Sequence, residues 1–189
     1  MYLDRRRRQR RGQVARLLVL IFLVATGVYF LSIRSDLLRN PFVSPEPTPT
    51  PTRTALSYSI EAEERYNEGR LQEAIIAYQA VVEREPDNAE AYAAMARLLT
   101  FRGKTLEAIE AARAAVALDG ENPRYLAILA MALDWAGQYD EAIDLALRAV
   151  GLAPDLAEAH AYLAEVYVDK GNWARALEEA RSAVSLDEK

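Results

Sequence analysis

One spacing governs most of this chain. Gly69, Gly103, Gly137 and Gly171 lie 34 residues apart, and so do Ala62, Ala96, Ala130 and Ala164. Ala74, Ala108, Ala142 and Ala176 keep the same step. A fixed period of this length marks a stack of helical units, each too small to bury its own apolar face and therefore dependent on its neighbours. The period divides the C-terminal part into 55–88, 89–122, 123–156 and 157–189.

Within each unit two apolar patterns at three- and four-residue spacing predict two helices with one buried face apiece. Tyr92, Met95, Ala96 and Leu99 carry the first helix of the second unit, and Ala108, Ile109, Ala112, Ala115 and Val116 carry its second. Alanines at the facing positions allow close helix approach. The glycines fall between the paired helices, where positive φ is easily accommodated. Asp87, Asn88 and Asp155 follow the inter-unit turns and are expected to initiate helices. In the first unit Glu61 and Arg65 stand where apolar residues are expected, so this unit reads as degenerate or as a polar cap.

These features resemble the tetratricopeptide repeat (TPR) family. The family's small residues appear in the third unit as Ala130, Ala142 and Ala149, its inter-helix Gly-x-aromatic as Gly137-Gln138-Tyr139 and Gly171-Asn172-Trp173, and its late proline as Pro86 and Pro154. The resemblance covers about 135 residues, from 55 to 189. It implies an all-α, right-handed helix-turn-helix solenoid of four repeats, whose concave face, lined by the first helices, binds a protein or peptide. The family's groove positions are here Glu63, Tyr66, Asn67, Arg97, Thr100, Phe101, Met131, Asp134, Trp135, Glu165, Val168 and Asp169, with Ser59, Ala93, Ala127 and Ala161 beside them. Phe101 and Trp135 are one period apart, and either offer an aromatic step to an extended ligand or pack between units. The cationic clamp with which some members hold a terminal carboxylate is missing, since Arg97 is the one cation at those positions.

The remaining residues form a different kind of segment. Net charge is -5, but residues 1–54 hold ten Arg against three acids (+7), and residues 55–189 hold thirteen Lys and Arg against twenty-five acids (-12). The acidic repeats argue against nucleic acid as a partner. The Arg cluster 5–8, 10, 11 and 16 precedes an uncharged apolar run, Leu17 to Ile33, at the short end of what spans a bilayer. Charge asymmetry predicts a signal anchor with a cytoplasmic N-terminal tail (1–16), a transmembrane helix (17–33) and extracytoplasmic repeats. A cleaved signal peptide is the rival, but no small-x-small site follows Ile33. Between anchor and repeats, residues 34–54 carry the tract Pro45-Glu46-Pro47-Thr48-Pro49-Thr50-Pro51-Thr52, expected as a polyproline spacer with a reach of about 40 Å.

Catalysis finds no footing. No Cys is present, and His160 reads as a packed helix residue. The acid pairs Glu63-Glu64, Asp140-Glu141 and Glu178-Glu179 cannot share a helix face. The expectation is a membrane-anchored bacterial scaffold that is not an enzyme and needs neither cofactor nor metal. Two alternatives stand beside it. One is the anchor and docking portion of a longer cell-envelope enzyme or assembly factor. The other is self-association through the last helix, where Leu177, Ala180 and Val184 lack a cover.

Overall fold

The computed structural model describes residues 3–33 and 53–188, with side chains described over 16–32 in the first stretch. The chain divides into two compact units, Met1–Pro51 and Thr52–Lys189. The first holds α1 (Leu3–Ile33). The second holds α2 (Ala55–Asn67), α3 (Leu71–Val82), α4 (Ala89–Phe101), α5 (Thr105–Leu118), α6 (Pro123–Trp135), α7 (Tyr139–Leu152), α8 (Ala157–Asp169) and α9 (Trp173–Asp187). There is no strand among the described residues.

α1 is 31 residues long, and its large apolar side chains between Leu17 and Leu31 are open to solvent. The membrane span expected over 17–33 is not supported: among the described residues no helix is long and apolar enough to cross a membrane. The uncharged apolar run itself, Leu17 to Ile33, is short against the about 20 apolar residues that a span needs. The side chains of the Arg-rich tail before Arg16 and the Pro/Thr tract lie outside the described residues.

In the second unit consecutive helices pair α2 with α3, α4 with α5, α6 with α7 and α8 with α9. The second helix of each pair packs on the first helix of the next, and α6 also packs on both α4 and α8. Each pair is joined by the same turn. Gly69, Gly103, Gly137 and Gly171 have φ of 74°, 71°, 78° and 80°. At Gly137 the glycine N–H donates to the Asp134 carbonyl (2.8 Å) and the Gln138 N–H to the Leu133 carbonyl (2.9 Å). Residues 65–70, 99–104 and 167–172 repeat this double bond, a Schellman turn that satisfies carbonyls at the helix end.

Helix starts follow a less uniform rule. Thr54, Asn88, Asn122 and Asn172 are N-caps whose side-chain oxygens accept backbone N–H bonds, while Asp155 is not a cap and Leu156 holds that position before α8 without a side-chain bond. Asp155 falls one residue early, because the turn after Pro154 runs on to Leu156 before helical geometry begins.

The core runs along the stack. Ala62, Ala96 and Ala130, with Ala74, Ala108 and Ala142, are wholly buried, so the small residues sit where helices approach most closely. Leu98, Leu126, Leu133, Leu163 and Val166 fill the space between pairs. α6 is buried continuously from Leu126 to Asp134, as expected of a helix apolar nearly all round with neighbours on every side.

The two ends of the stack differ. Ala91 and Leu98 of α4, Leu129 and Ala132 of α6, and Leu163 and Val166 of α8 are buried. The matching residues of α2, Ser57, Glu61 and Glu64, are polar, and Glu61 is held by Arg53 and Arg65. α9 is the opposite case. Trp173, Leu177 and Val184 are 68%, 54% and 58% exposed, whereas Ile75 and Ile109, the counterparts of Leu177, are buried.

Candidate functional site: a cavity along the first helices

A cavity of about 890 Å³ opens along the N-terminal halves of the first helices. α2 contributes Ser59 and Glu63, α4 contributes Glu90, Ala91, Ala93, Ala94 and Arg97, and α6 contributes Pro123, Arg124, Tyr125 and Ile128. Tyr78 of α3 and the turn residues Ala153, Asp155 and Leu156 complete it. Two N-caps, Asn88 and Asn122, stand on its wall one period apart. Asn88 Oδ1 accepts the Ala91 N–H at 2.9 Å, and Asn122 Oδ1 accepts the Arg124 N–H at 3.1 Å.

Arg97 is the central cation. Its guanidinium lies over the Tyr66 ring at 5.7 Å and 3.7 Å from the Glu158 carboxylate, while its buried Nε has no hydrogen-bond partner. Arg124 approaches the same Glu158 at 3.8 Å. Two phenols, Tyr78 buried and Tyr162 half-buried, bracket this pair of arginines. Tyr78 donates to Glu63 (2.9 Å), and Tyr162 donates to Glu158 (3.0 Å). Burial and then the adjacent carboxylate push both phenols well above the usual tyrosine range, so they remain donors that fix the glutamates. The wall thus presents small alanines, fixed carboxylates and two guanidinium groups loosely held by one acid.

Of the twelve groove residues expected from sequence, Glu63 and Arg97 line this cavity. Tyr66 touches it through Arg97. The others lie toward the C-terminal ends of the first helices or inside the stack. Thr100, Met131 and Asp134 are buried, at 0%, 1% and 2% exposure, because α6 packs against α4 and α8 at that level. Thr100 Oγ1 is satisfied by the Ala96 carbonyl (3.0 Å). Asn67, Glu165, Val168 and Asp169 are exposed, and Phe101 and Trp135 are 44% and 45% exposed, so neither aromatic ring is consumed by packing between units. Sequence reasoning missed Tyr78, Arg124 and Tyr125. Asn88 and Asn122, repeating one period apart just before helices, were the signal that this end of the stack has a built wall.

His160 is packed, as expected. Its ring is 8% exposed, with Nδ1 2.7 Å from a Glu179 oxygen and Nε2 3.0 Å from the Pro154 carbonyl. It ties α8 to α9 and to the preceding turn through the Pro154 carbonyl.

Models described as tetratricopeptide repeat match residues 66–132 and 129–189. No curated protein matches the chain. Among solved structures, a thermophilic TPR protein of Thermus thermophilus is 19% identical with a TM-score of 0.67, over 72% of this chain and 76% of that one. A crystal structure of MamA protein is 26% identical with a TM-score of 0.57, over 71% and 73%. The second TPR domain of human RPAP3, solved in complex with the HSP70 peptide SGPTIEEVD, is 24% identical with a TM-score of 0.56, over 59% of this chain and 93% of that domain.

Proposed function

This chain carries tetratricopeptide repeats over residues 66–189, and from that premise we propose that it is a non-catalytic scaffold holding a segment of another protein in the cavity along α2, α4 and α6. The observation that carries the reading is the cavity's wall. Its alanines admit a backbone closely, and its carboxylates Glu63 and Glu158 are fixed before any ligand arrives, which lowers the ordering cost of binding. The RPAP3 domain holds a peptide, and by analogy of fold the same use is proposed here.

Selection of a random dodecapeptide display library against the full chain tests this. Ala94→Trp, which fills the cavity, and Arg97→Ala, which removes its central cation, are each expected to weaken selected peptides at least tenfold. Unchanged binding by both folded variants would move the site off this wall.

The membrane anchor belongs to the same proposal. The apolar side chains from Leu17 to Leu31 stand exposed along one helix, a larger apolar surface than a water-facing helix ordinarily presents, and the cationic residues of the sequence lie upstream. The full chain is expected to stay with membranes through alkaline carbonate extraction, and a chain lacking residues 1–51 to be released. Reporter fusions after Lys189 are expected to read as extracytoplasmic. Release of the full chain by carbonate would remove the anchor from the reading.

A further inference from the structure

A second group of side chains, at the C-terminal ends of α6 and α8, takes no part in the cavity. Asp134 is 2% exposed and neither carboxylate oxygen has a hydrogen-bond partner. The fold does not require an acid there: one period away on either side stand Thr100, which satisfies its own hydroxyl on the Ala96 carbonyl, and Val168. A buried carboxylate without a partner is costly, so its presence calls for a counterpart. The charges acting on it are those of Asp169 and Glu165, one helical turn apart on α8. Among the described residues neither of these acids makes an ion pair, so the three acids share the C-terminal ends of the packed helices α6 and α8 without a cation. They do not make a metal site, since no group of three or more ligating side chains among the described residues can hold an ion.

Trp135 stands beside them. It occupies the same place in its unit as Asp169 does in the next, which sets the two side by side on the packed helices α6 and α8. Its ring is 45% exposed and carries no cation, and Phe101, one period earlier, is equally open. An open indole face next to unpaired carboxylates matches one ligand chemistry: a planar cation on an aliphatic stem, which stacks on the ring and gives its N–H donors to the acids. We propose that Asp134, Trp135, Glu165 and Asp169 form a subsite for one arginine side chain of the bound polypeptide. This subsite rests on the groove reading above and gives the partner a specific character: a segment with a basic residue positioned beyond the cavity, toward the C-terminal ends of the first helices.

The test uses the full chain carrying Trp173→Phe, so that Trp135 is its single indole. The probe is a capped Gly/Ser/Ala heptapeptide with one central arginine, and the control carries citrulline, the neutral isostere, in its place. The arginine peptide is expected to change Trp135 fluorescence saturably, at least tenfold more tightly than the citrulline peptide. Asp134→Asn is expected to abolish that discrimination. If Asp134→Asn disturbs the fold, the exposed pair Glu165→Gln/Asp169→Asn, expected to do the same, replaces it. Because burial holds the Asp134 carboxyl at about 7, arginine binding at neutral pH is also expected to release protons, seen as a buffer-dependent heat in calorimetry. Equal response to arginine and citrulline, or discrimination that survives the acid substitutions, overturns the subsite. If library-selected peptides still need the Ala94 and Arg97 wall in that case, the groove reading stands without it. If they do not, both fall.

Discussion

Asp134 shows how a residue can be placed by the fold and yet not be served by it. Burial first, then the neighbouring charges of Asp169 and Glu165, raise its carboxyl to about 7 from the ordinary 3.8. The folded state therefore binds a proton that the unfolded chain releases between about pH 4 and 7, and stability falls as pH rises through that window. Urea unfolding at pH 5 and pH 8 is expected to show the parent chain less stable at the higher pH. Asp134→Asn is expected to be the more stable variant at pH 8, by on the order of 1–3 kcal/mol, with the slope largely removed. A parent chain equally stable at both values would show that the carboxylate finds a partner in solution. His160 makes the contrasting case, because both its ring nitrogens meet oxygen partners. His160→Ala is expected to cost about 1–3 kcal/mol by orphaning Glu179 and the Pro154 carbonyl. Sequence reading placed His160 correctly as a packed residue but set Asp134 on an open groove. The difference lies in contacts between α6 and α8 that no local pattern reports.

At the scale of the elements, the turns were the most legible feature and the caps the least. Four glycines at a fixed step have one physical use in common, a left-handed residue that closes the first helix of each pair. Gly137, at φ 78°, has no atom within 4 Å of the place a Cβ would take, so Gly137→Ala tests backbone strain alone and is expected to cost about 1 kcal/mol in denaturant unfolding. Gly151, inside α7 and equally uncrowded, has no such φ, and Gly151→Ala is expected to stabilise by about 0.5–1 kcal/mol. A common sign for both substitutions would contradict this account of the turns. Cap positions were harder because Asp87, Asn88 and Asp155 all have suitable side chains, and only the turn's path selects Asn88 and passes over Asp155. The first helices were legible as helices but not in their depth. Thr100, Met131 and Asp134 follow the family's groove positions, yet stacking of α4, α6 and α8 seals them in, and the cavity opens at the other end of the same helices.

At the scale of the molecule, the period defined the stack, and charge asymmetry separated it from the N-terminal segment. What could not be read was the cavity, since its volume depends on how far α2 stands from α6, a sum of many packing choices in between. The opposite ends of the stack carry a consequence of their own. Salt-bridged glutamate at α2 makes a charged surface, while Trp173, Leu177 and Val184 on α9 present an apolar one. The two end faces of the described stack therefore differ in chemistry. A consensus helical pair fused after residue 188 is expected to raise the thermal midpoint by covering α9, whereas the same pair fused ahead of residue 55 would meet charge and add nothing. An added helical pair thus meets an apolar face at α9 and a charged one at α2.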